Sequence, residues 1–265
     1  MYYTRLGKIP RKRHTAFRKD DGSLYREQLV GLEGFSGISS LLYKEKYPSA
    51  TVRLQALGIQ QSEHVEGSTL LDYWHLRTAQ MMPAKSPIAD RFPILFNEQC
   101  QISVCSDPLD YIFRNASHHE LYYIDDGRGS LYTEYGVIDF VPGDYLVIPK
   151  STTYQFKFEA HAKYLLIQSR APYRFPGRYL NSMGQFLEHS PVCERDIRPP
   201  SRLEPVVSED NISVILHRNG EYFEQIMNHN PFDTVGWDGY LYPYAISIHD
   251  FEPITGRVHQ PPPVH

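Results

Sequence analysis

Two histidines and a glutamate stand next to one another at His118, His119 and Glu120. Two histidines and one carboxylate are the usual protein ligands of a non-haem iron site that leaves positions open for substrate and oxygen. Such a site needs three side chains that converge on one point. Because neighbouring residues of a strand point to opposite faces, Glu120 can share a face with His118 but not with His119. The triplet alone therefore falls short of a three-ligand site.

The segments on either side have the two-residue alternation of β-strands. In "TVRLQAL" (51–57), Val52, Leu54 and Ala56 alternate with polar residues, which predicts a strand that turns these three side chains inward. The segment "TYQFKFEAHAKYLLIQS" (153–169) alternates in the same way and then becomes a continuous apolar run. It predicts a strand that enters a buried layer.

Turn signals and aromatic content also favour strands. Two β-type runs flank Asn219-Gly220 within residues 211–227, which predicts a hairpin closed by a type I′ turn. Helical periodicity is limited to short candidates such as 67–82. The chain contains 20 tyrosines, 13 phenylalanines, 20 prolines and 17 glycines, residues that β-rich proteins use on pleated faces and in turns. The sequence therefore predicts an all-β fold, a sandwich or barrel with few short helices.

The composition argues against several classes of partner. A net charge of −4 over 265 residues and a pI near 6.3 provide no basic surface for nucleic acid or anionic lipid. There is no apolar run of about 18 residues and no secretory signal. Three cysteines, Cys100, Cys105 and Cys193, lack paired spacing and are expected to be reduced. We expect a cytoplasmic protein with neither nucleic-acid nor membrane partners.

The central part of the chain resembles the cupin superfamily, whose fold is a small β-barrel of jelly-roll type. The resemblance is carried by "HHELYYIDDGRG" (118–129), Gly136 and "VPGDYLVIP" (141–149), in which Pro142-Gly143-Asp144 suits a turn between two barrel strands. It implies a barrel over about residues 90–170. Where a cupin offers its last metal-binding histidine, this sequence has Thr152 or Thr153, which predicts a barrel without metal.

The two ends of the chain resemble homogentisate 1,2-dioxygenase, particularly its bacterial branch. The similarity is carried by "YREQLVGLEGFSG" (25–37) and by "GWDGYLYPYAISIHDFEPITGRVHQPPPVH" (236–265). In that family a ligand histidine precedes the glutamate by six residues; with a one-residue insertion, its position here falls on Phe113 while Glu120 remains. The resemblance implies a β-rich first domain, residues 1–250, with a metal-free barrel. Residues 251–265 would form a proline-rich junction to a second cupin that lies beyond His265.

The same resemblance implies a function for the complete protein. It would be an Fe(II)-dependent dioxygenase that converts homogentisate and O₂ to maleylacetoacetate in tyrosine and phenylalanine catabolism. We expect its iron ligands beyond residue 265, so that the present chain is an inactive portion of a homo-oligomeric enzyme. The family's acid/base histidine matches His259, with His265 as the competing position. An imidazole near its usual pKa of about 6.5 can accept a phenolic proton. Substrate-binding residues are not assigned.

Two other functions are compatible with these residues. Phe113 and Thr153 would also suit a metal-free cupin that acts as a binding or assembly module. A cupin isomerase or sugar-binding enzyme could instead use His119, Glu120 and barrel tyrosines without a metal.

Overall fold

The computed structural model describes residues 2–34, 36–60, 75–78, 92–106 and 109–252. Its secondary structure consists of strands, with three short 3-10 helices in the described part. None of the described helices is long and apolar enough to cross a membrane. The predicted all-β fold is confirmed. The strands are β1 Thr4–Gly7, β2 Arg26–Glu33, β3 Ser36–Lys44, β4 Thr51–Gln60, β5 Phe92–Phe96, β6 Cys100–Cys105, β7 Phe113–Asn115, β8 His119–Asp126, β9 Gly129–Thr133, β10 Gly136–Phe140, β11 Asp144–Ile148, β12 Thr153–Phe158, β13 Lys163–Ser169, β14 Ile212–Arg218, β15 Glu221–Met227, β16 Thr234–Gly239 and β17 Tyr244–Ser247, and the 3-10 helices are Gly177–Tyr179, Glu194–Asp196 and Ile248–Asp250.

The strands form three sheets. A seven-stranded sheet has the order β10-β9-β12-β7-β14-β15-β4, and a six-stranded sheet has the order β17-β11-β8-β13-β6-β5. These two sheets face each other across one apolar core and make up the barrel. A separate four-stranded sheet, β1-β16-β3-β2, joins strands from both ends of the chain. The predicted Pro142-Gly143-Asp144 turn connects β10 and β11, and therefore passes from one barrel sheet to the other.

Aromatic rings fill the barrel. Tyr122 from the six-stranded sheet meets Phe156 from the seven-stranded sheet with ring centroids 5.0 Å apart, and both side chains are fully buried. Phe156 in turn lies edge-on to Phe140 at 5.6 Å. Inclined rings at these separations are favourable beyond the area that they bury. The high aromatic content of the sequence therefore forms the interior of the barrel.

The single strand predicted over 153–169 is in fact two strands, β12 and β13, which belong to opposite sheets. Tyr154 and Phe156 point into the barrel from one sheet, and Tyr164 and Leu166 point into it from the other. The even-numbered residues face the core on both sides of the turn. Because even-numbered residues face the core in both strands, the sequence pattern continues through the turn and does not reveal it. Ala160, at the turn, is exposed.

The inward face predicted for 51–57 is wrong. Val52 and Leu54 are 59% and 53% exposed, and Ala56 is exposed as well. Leu57 and Ile59, which have the opposite parity, pack against the barrel core instead. Alternation distinguishes two faces of a strand but does not say which one is buried. Here β4 ends the order of its sheet in the described structure, and Val52, Leu54 and Ala56 face away from the barrel core.

The hairpin predicted at Asn219-Gly220 is confirmed. Strands β14 and β15 pair antiparallel on either side of it, from Arg218 opposite Glu221 onward. Asn219 and Gly220 have φ values of +52° and +79°, as the two central residues of a type I′ turn require. The helix candidate at 67–82 lies outside the described residues except for 75–78.

The Gly236-Trp237-Asp238-Gly239-Tyr240 segment anchors the four-stranded sheet to the barrel. Trp237 is 1% exposed, and its Nε1 donates a hydrogen bond of 2.6 Å to the carbonyl of Tyr135. A Cβ on Gly236 would lie only 1.9 Å from the carbonyl oxygen of Lys8, so no side chain fits there. This segment therefore has a structural role in joining β16 to the N-terminal strand.

A buried lysine holds the end of β3 in place. Lys44 is 1% exposed, and its Nζ donates to the carbonyl of Pro231 at 2.8 Å and to Asp233 Oδ1 at 3.2 Å. Glu134 Oε2 lies 3.5 Å from the same nitrogen. A buried charge of this kind is tolerated only when its partners are well placed.

We expect the substitution Lys44→Met to lower the free energy of unfolding by about 3–5 kcal/mol, because it leaves two buried carboxylates without their cation. Urea unfolding near neutral pH would measure the loss. Lys46→Met is the matched control, since the Lys46–Glu209 ion pair is exposed and worth at most about 1 kcal/mol. Equal losses in the two variants would contradict this interpretation.

Candidate functional site

Glu120 is the central polar group inside the barrel. It is 1% exposed, and its Oε1 accepts hydrogen bonds from Asn115 Nδ2 at 3.0 Å and from Gln168 Nε2 at 3.1 Å. Its Oε2 accepts a hydrogen bond of 2.6 Å from the hydroxyl of Tyr154. Both oxygens of the carboxyl group are therefore engaged by uncharged donors. Burying this group is possible because these bonds replace water.

Each partner of Glu120 arrives from a different strand. Gln168 lies directly opposite Glu120 in the β8–β13 register and so shares its face. Asn115 ends β7, where its Oδ1 also accepts from the backbone N–H groups of Ser117 and His118. Tyr154 reaches across from the seven-stranded sheet. The site is thus assembled by both sheets of the barrel.

A chain of hydroxyl groups leads from the carboxyl group into the core. The hydroxyl oxygens of Tyr122 and Tyr154 are 2.6 Å apart. Since Tyr154 gives its proton to Glu120, the proton between the two tyrosines belongs to Tyr122. These bonds fix the orientation of the carboxyl group within an otherwise aromatic interior.

His217, on strand β14, extends the same network. Its Nδ1 lies 3.2 Å from Asn115 Oδ1. Because the Asn115 amide nitrogen donates to Glu120, its oxygen faces His217, and the imidazole proton is therefore on Nδ1. The ring of His217 stacks on Tyr222 at 4.7 Å and on His118 at 5.9 Å. His118 thus lies on the same side of β8 as Glu120.

His119 lies on the opposite face of β8, outside the barrel. It is 2% exposed, and its Nδ1 accepts a hydrogen bond of 3.2 Å from the backbone N–H of Lys150. Burial, with smaller contributions from the charges of Lys150 and His118, lowers the pKa of His119 to about 4. The imidazole is therefore neutral near pH 7 and carries its proton on Nε2. Its ring lines a cavity between the six-stranded and four-stranded sheets.

The described barrel residues do not fit an iron ion. Phe113 is buried in the barrel core, and Thr153 Oγ1 accepts a hydrogen bond of 2.8 Å from Arg114 Nε. Within the described ranges there is no group of three His, Cys, Asp or Glu side chains that could hold a metal. Glu120 already has its two oxygens occupied by neutral donors.

Sequence reasoning singled out Glu120 but missed most of its partners. Tyr154, not Thr152 or Thr153, supplies the contact from β12, because Tyr154 is the residue of that strand end that points inward. The alternation of β12 could have identified it. Contacts from Asn115 and His217 depend on pairing between distant strands, for which the sequence has no local signal. His259 and His265 lie outside the described residues.

We expect Tyr154→Phe to lower the free energy of unfolding by about 1–3 kcal/mol, because it leaves a buried oxygen of Glu120 without its donor. Urea unfolding would measure it. Tyr145→Phe is the control: Tyr145 is half-buried, its ring contacts Tyr123 at 4.9 Å, and its loss of a hydroxyl should change stability by no more than about 0.5 kcal/mol. A Tyr154→Phe variant as stable as this control would show that the network does not support the barrel.

A pH dependence is expected from His119. Its pKa is about 4 in the folded protein and 6.5 when exposed, so between these values the unfolded chain binds more protons. The wild type should therefore lose stability through this group as the pH falls from 6.5 towards 4. The unfolding free energy of the wild type minus that of His119→Phe should be constant above pH 6.5 and should decrease as the pH falls from 6.5 to 4. Unfolding free energies of both proteins across this pH range would test this, and a difference that grows on acidification would refute it.

Comparison with known proteins places these features in a family. The family model described as "Homogentisate 1,2-dioxygenase N-terminal" matches residues 100–248, which contain the Glu120 network. The protein named "Putative dioxygenase SSO1533" from Saccharolobus solfataricus is 38% identical over 99% of this chain and 68% of its own length. Homogentisate 1,2-dioxygenase from Bradyrhizobium diazoefficiens is 26% identical over 55% of this chain and 32% of that enzyme.

A solved structure of a cupin 2 conserved barrel domain protein from Leptotrichia buccalis aligns with 64% of this chain and 92% of its own, at 14% identity and a TM-score of 0.31. A similarity of this size has no weight for function. The family match covers more than half of the chain, and the relative from Saccharolobus solfataricus is similar over nearly all of it. The chain belongs to the family described as "Homogentisate 1,2-dioxygenase N-terminal".

Proposed function

We propose that the complete protein is an Fe(II)-dependent dioxygenase that opens the ring of homogentisate with O₂ to give maleylacetoacetate. The proposal is supported by the family match over residues 100–248 and by the similarity to homogentisate 1,2-dioxygenases. The chain spans about a third of the length of those enzymes, so the activity belongs to the proposal and not to the described residues.

The hydrogen bonds of Glu120 are the observation that supports a structural barrel and an iron site elsewhere in the complete protein. A carboxyl group that already accepts bonds from Asn115, Gln168 and Tyr154 would have to give up these donors in order to bind a metal. In this proposal the barrel therefore serves as a structural half of the enzyme. We propose that the iron ligands, and the residues that bind homogentisate, lie in a part of the complete protein that the present chain does not include.

The proposed role of His259 is that of acid/base toward the substrate. A neutral imidazole can accept a proton from a phenolic hydroxyl and return it later in the reaction. His265 is the alternative position for this role. Both positions come from the family resemblance and lie outside the described residues.

Self-association is also part of the proposal. Val52 and Leu54 are exposed on β4, which ends the order of its sheet in the described structure. Strand edges with exposed apolar side chains favour pairing with another chain. We therefore propose a homo-oligomer.

A metal-free binding or assembly module is the second candidate, and the same Glu120 network favours it. The isomerase alternative is less well supported, because it requires His119 and Glu120 to act on one substrate. These two side chains lie on opposite faces of β8, one in the outer cavity and one inside the barrel.

Oxygen consumption with homogentisate tests the proposal. We expect the product of the whole reading frame, supplied with Fe(II), to consume O₂, and the 265-residue chain to consume none. His259→Ala in the whole product should lower kcat by about 10²–10⁴-fold, as loss of an acid/base group does. His249→Ala, a change of an exposed histidine on the Ile248–Asp250 helix, is the control and should leave kcat unchanged. Turnover by the 265-residue chain alone would contradict the proposal.

A further inference from the structure

A cavity of about 530 Å³ lies outside the barrel, between the six-stranded sheet and the four-stranded sheet. Ile38 on β3 lines one side, His119 and Val147 line another, and residues 172–175 close a third. This volume falls within the range of about 300–1,000 Å³ that is usual for small-molecule sites. The cavity is large enough to hold a single aromatic ring with substituents.

Aromatic side chains make up much of its wall. The ring centroids of Phe175 and Tyr244 lie 6.3 Å apart. The aromatic residues that line the cavity are Tyr173, Phe175, Tyr240, Tyr242 and Tyr244. Rings of this kind favour a planar partner in a stacked or edge-on arrangement. The shape and chemistry of the wall therefore suit an aromatic ligand.

Two of the four tyrosines of the wall have hydroxyls that are hydrogen-bonded elsewhere. Tyr173 donates to the carbonyl of Ile167 at 2.7 Å, and Tyr242 donates to the carbonyl of Tyr2 at 2.9 Å. Burial raises the pKa of both hydroxyls, so these tyrosines remain uncharged. Their rings are therefore the part of these side chains that remains available to a ligand in the cavity.

His119 supplies a directed hydrogen-bond donor. Its Nδ1 is fixed by the backbone N–H of Lys150, so the second ring nitrogen, Nε2, carries the proton of the neutral ring. The side chain is 2% exposed and lines the cavity. A buried N–H at the wall of an apolar cavity is suited to an oxygen acceptor on a ligand.

The charges at the cavity cancel. Arg174 and Glu33 both line it and form an ion pair of 2.8 Å, with side chains 70% and 54% exposed. A ligand carboxylate would lose its hydration in the cavity, and the arginine that could replace it is already paired with Glu33. A ligand ammonium would lose its hydration in the same way, because Glu33 is already paired with Arg174. The described lining thus favours a molecule without net charge.

From these features we infer that the cavity binds an uncharged, single-ring aromatic molecule whose oxygen accepts a hydrogen bond from His119 Nε2. Ring stacking and apolar burial would provide most of the affinity, and the hydrogen bond would orient the ring. This inference does not depend on the proposed ring-cleaving reaction.

The probe is 4-methylphenol, with toluene as the partner that lacks the oxygen, and binding to the 265-residue chain is measured by titration calorimetry and saturation-transfer NMR. We expect 4-methylphenol to bind more tightly than toluene. His119→Phe should weaken the binding of 4-methylphenol by about fivefold, because one hydrogen bond is lost, and should leave the binding of toluene unchanged. Equal weakening of both probes would show that His119 only supports the fold, and would overturn its role as the donor.

Filling the cavity provides an independent test. Ile38→Trp places a large side chain in the cavity from a position that is 43% exposed. It should weaken the binding of 4-methylphenol by about tenfold or more. Leu29→Trp is the matched control, because Leu29 is also 43% exposed on the same sheet and does not line the cavity. We expect it to bind as the wild type does.

Two results would overturn the inference. One is undiminished binding of 4-methylphenol by Ile38→Trp, which would place the probe elsewhere. The other is tighter binding of benzoate than of 4-methylphenol at neutral pH, which would show that the cavity selects an anion.

Discussion

The alternation of side chains along β8 is the constraint on which the chemistry of this protein depends. Successive strand residues point to opposite faces, so His119 and Glu120, although adjacent, occupy different environments. Glu120 enters the barrel and meets Asn115, Gln168 and Tyr154, while His119 lines a cavity on the outside. A triplet that looks like part of one metal site is thereby divided between a hydrogen-bond network and a hydrogen-bond donor. Neither half resembles a three-ligand centre.

The surroundings of β8 maintain this division. Inside the barrel, packed rings exclude water, so the polar atoms of Glu120 must be satisfied by protein groups. Outside, the four-stranded sheet is attached through Trp237 and positioned by buried Lys44, and its β2–β3 pair forms one wall of the cavity. The cavity therefore exists because two ends of the chain, β1 and β16, return to the same sheet. Packing that joins distant segments creates both environments.

Features set by local chemistry could be predicted from the sequence. The Asn219-Gly220 hairpin follows from the backbone that its turn requires, and the all-β fold follows from alternation and composition. The buried face of 51–57 could not be predicted, since alternation leaves the choice of face to the neighbouring layer. The contact of His217 with Asn115 joins residues about a hundred positions apart, and depends on the parallel pairing of β14 with β7. The identity of the family came from resemblance, because no residue pattern of the barrel by itself indicates a dioxygenase.

Anaerobic titration of Fe(II) into the 265-residue chain, followed by measurement of bound iron after gel filtration, tests most directly whether Glu120 is a structural acceptor and not a metal ligand. The wild type and Glu120→Gln should be compared side by side, with circular dichroism to confirm that both are folded. We expect neither protein to retain iron, because the carboxyl group of Glu120 is already held by three neutral donors. Retention of about one iron per chain by the wild type, lost in Glu120→Gln, would contradict this account and make the barrel itself the metal centre.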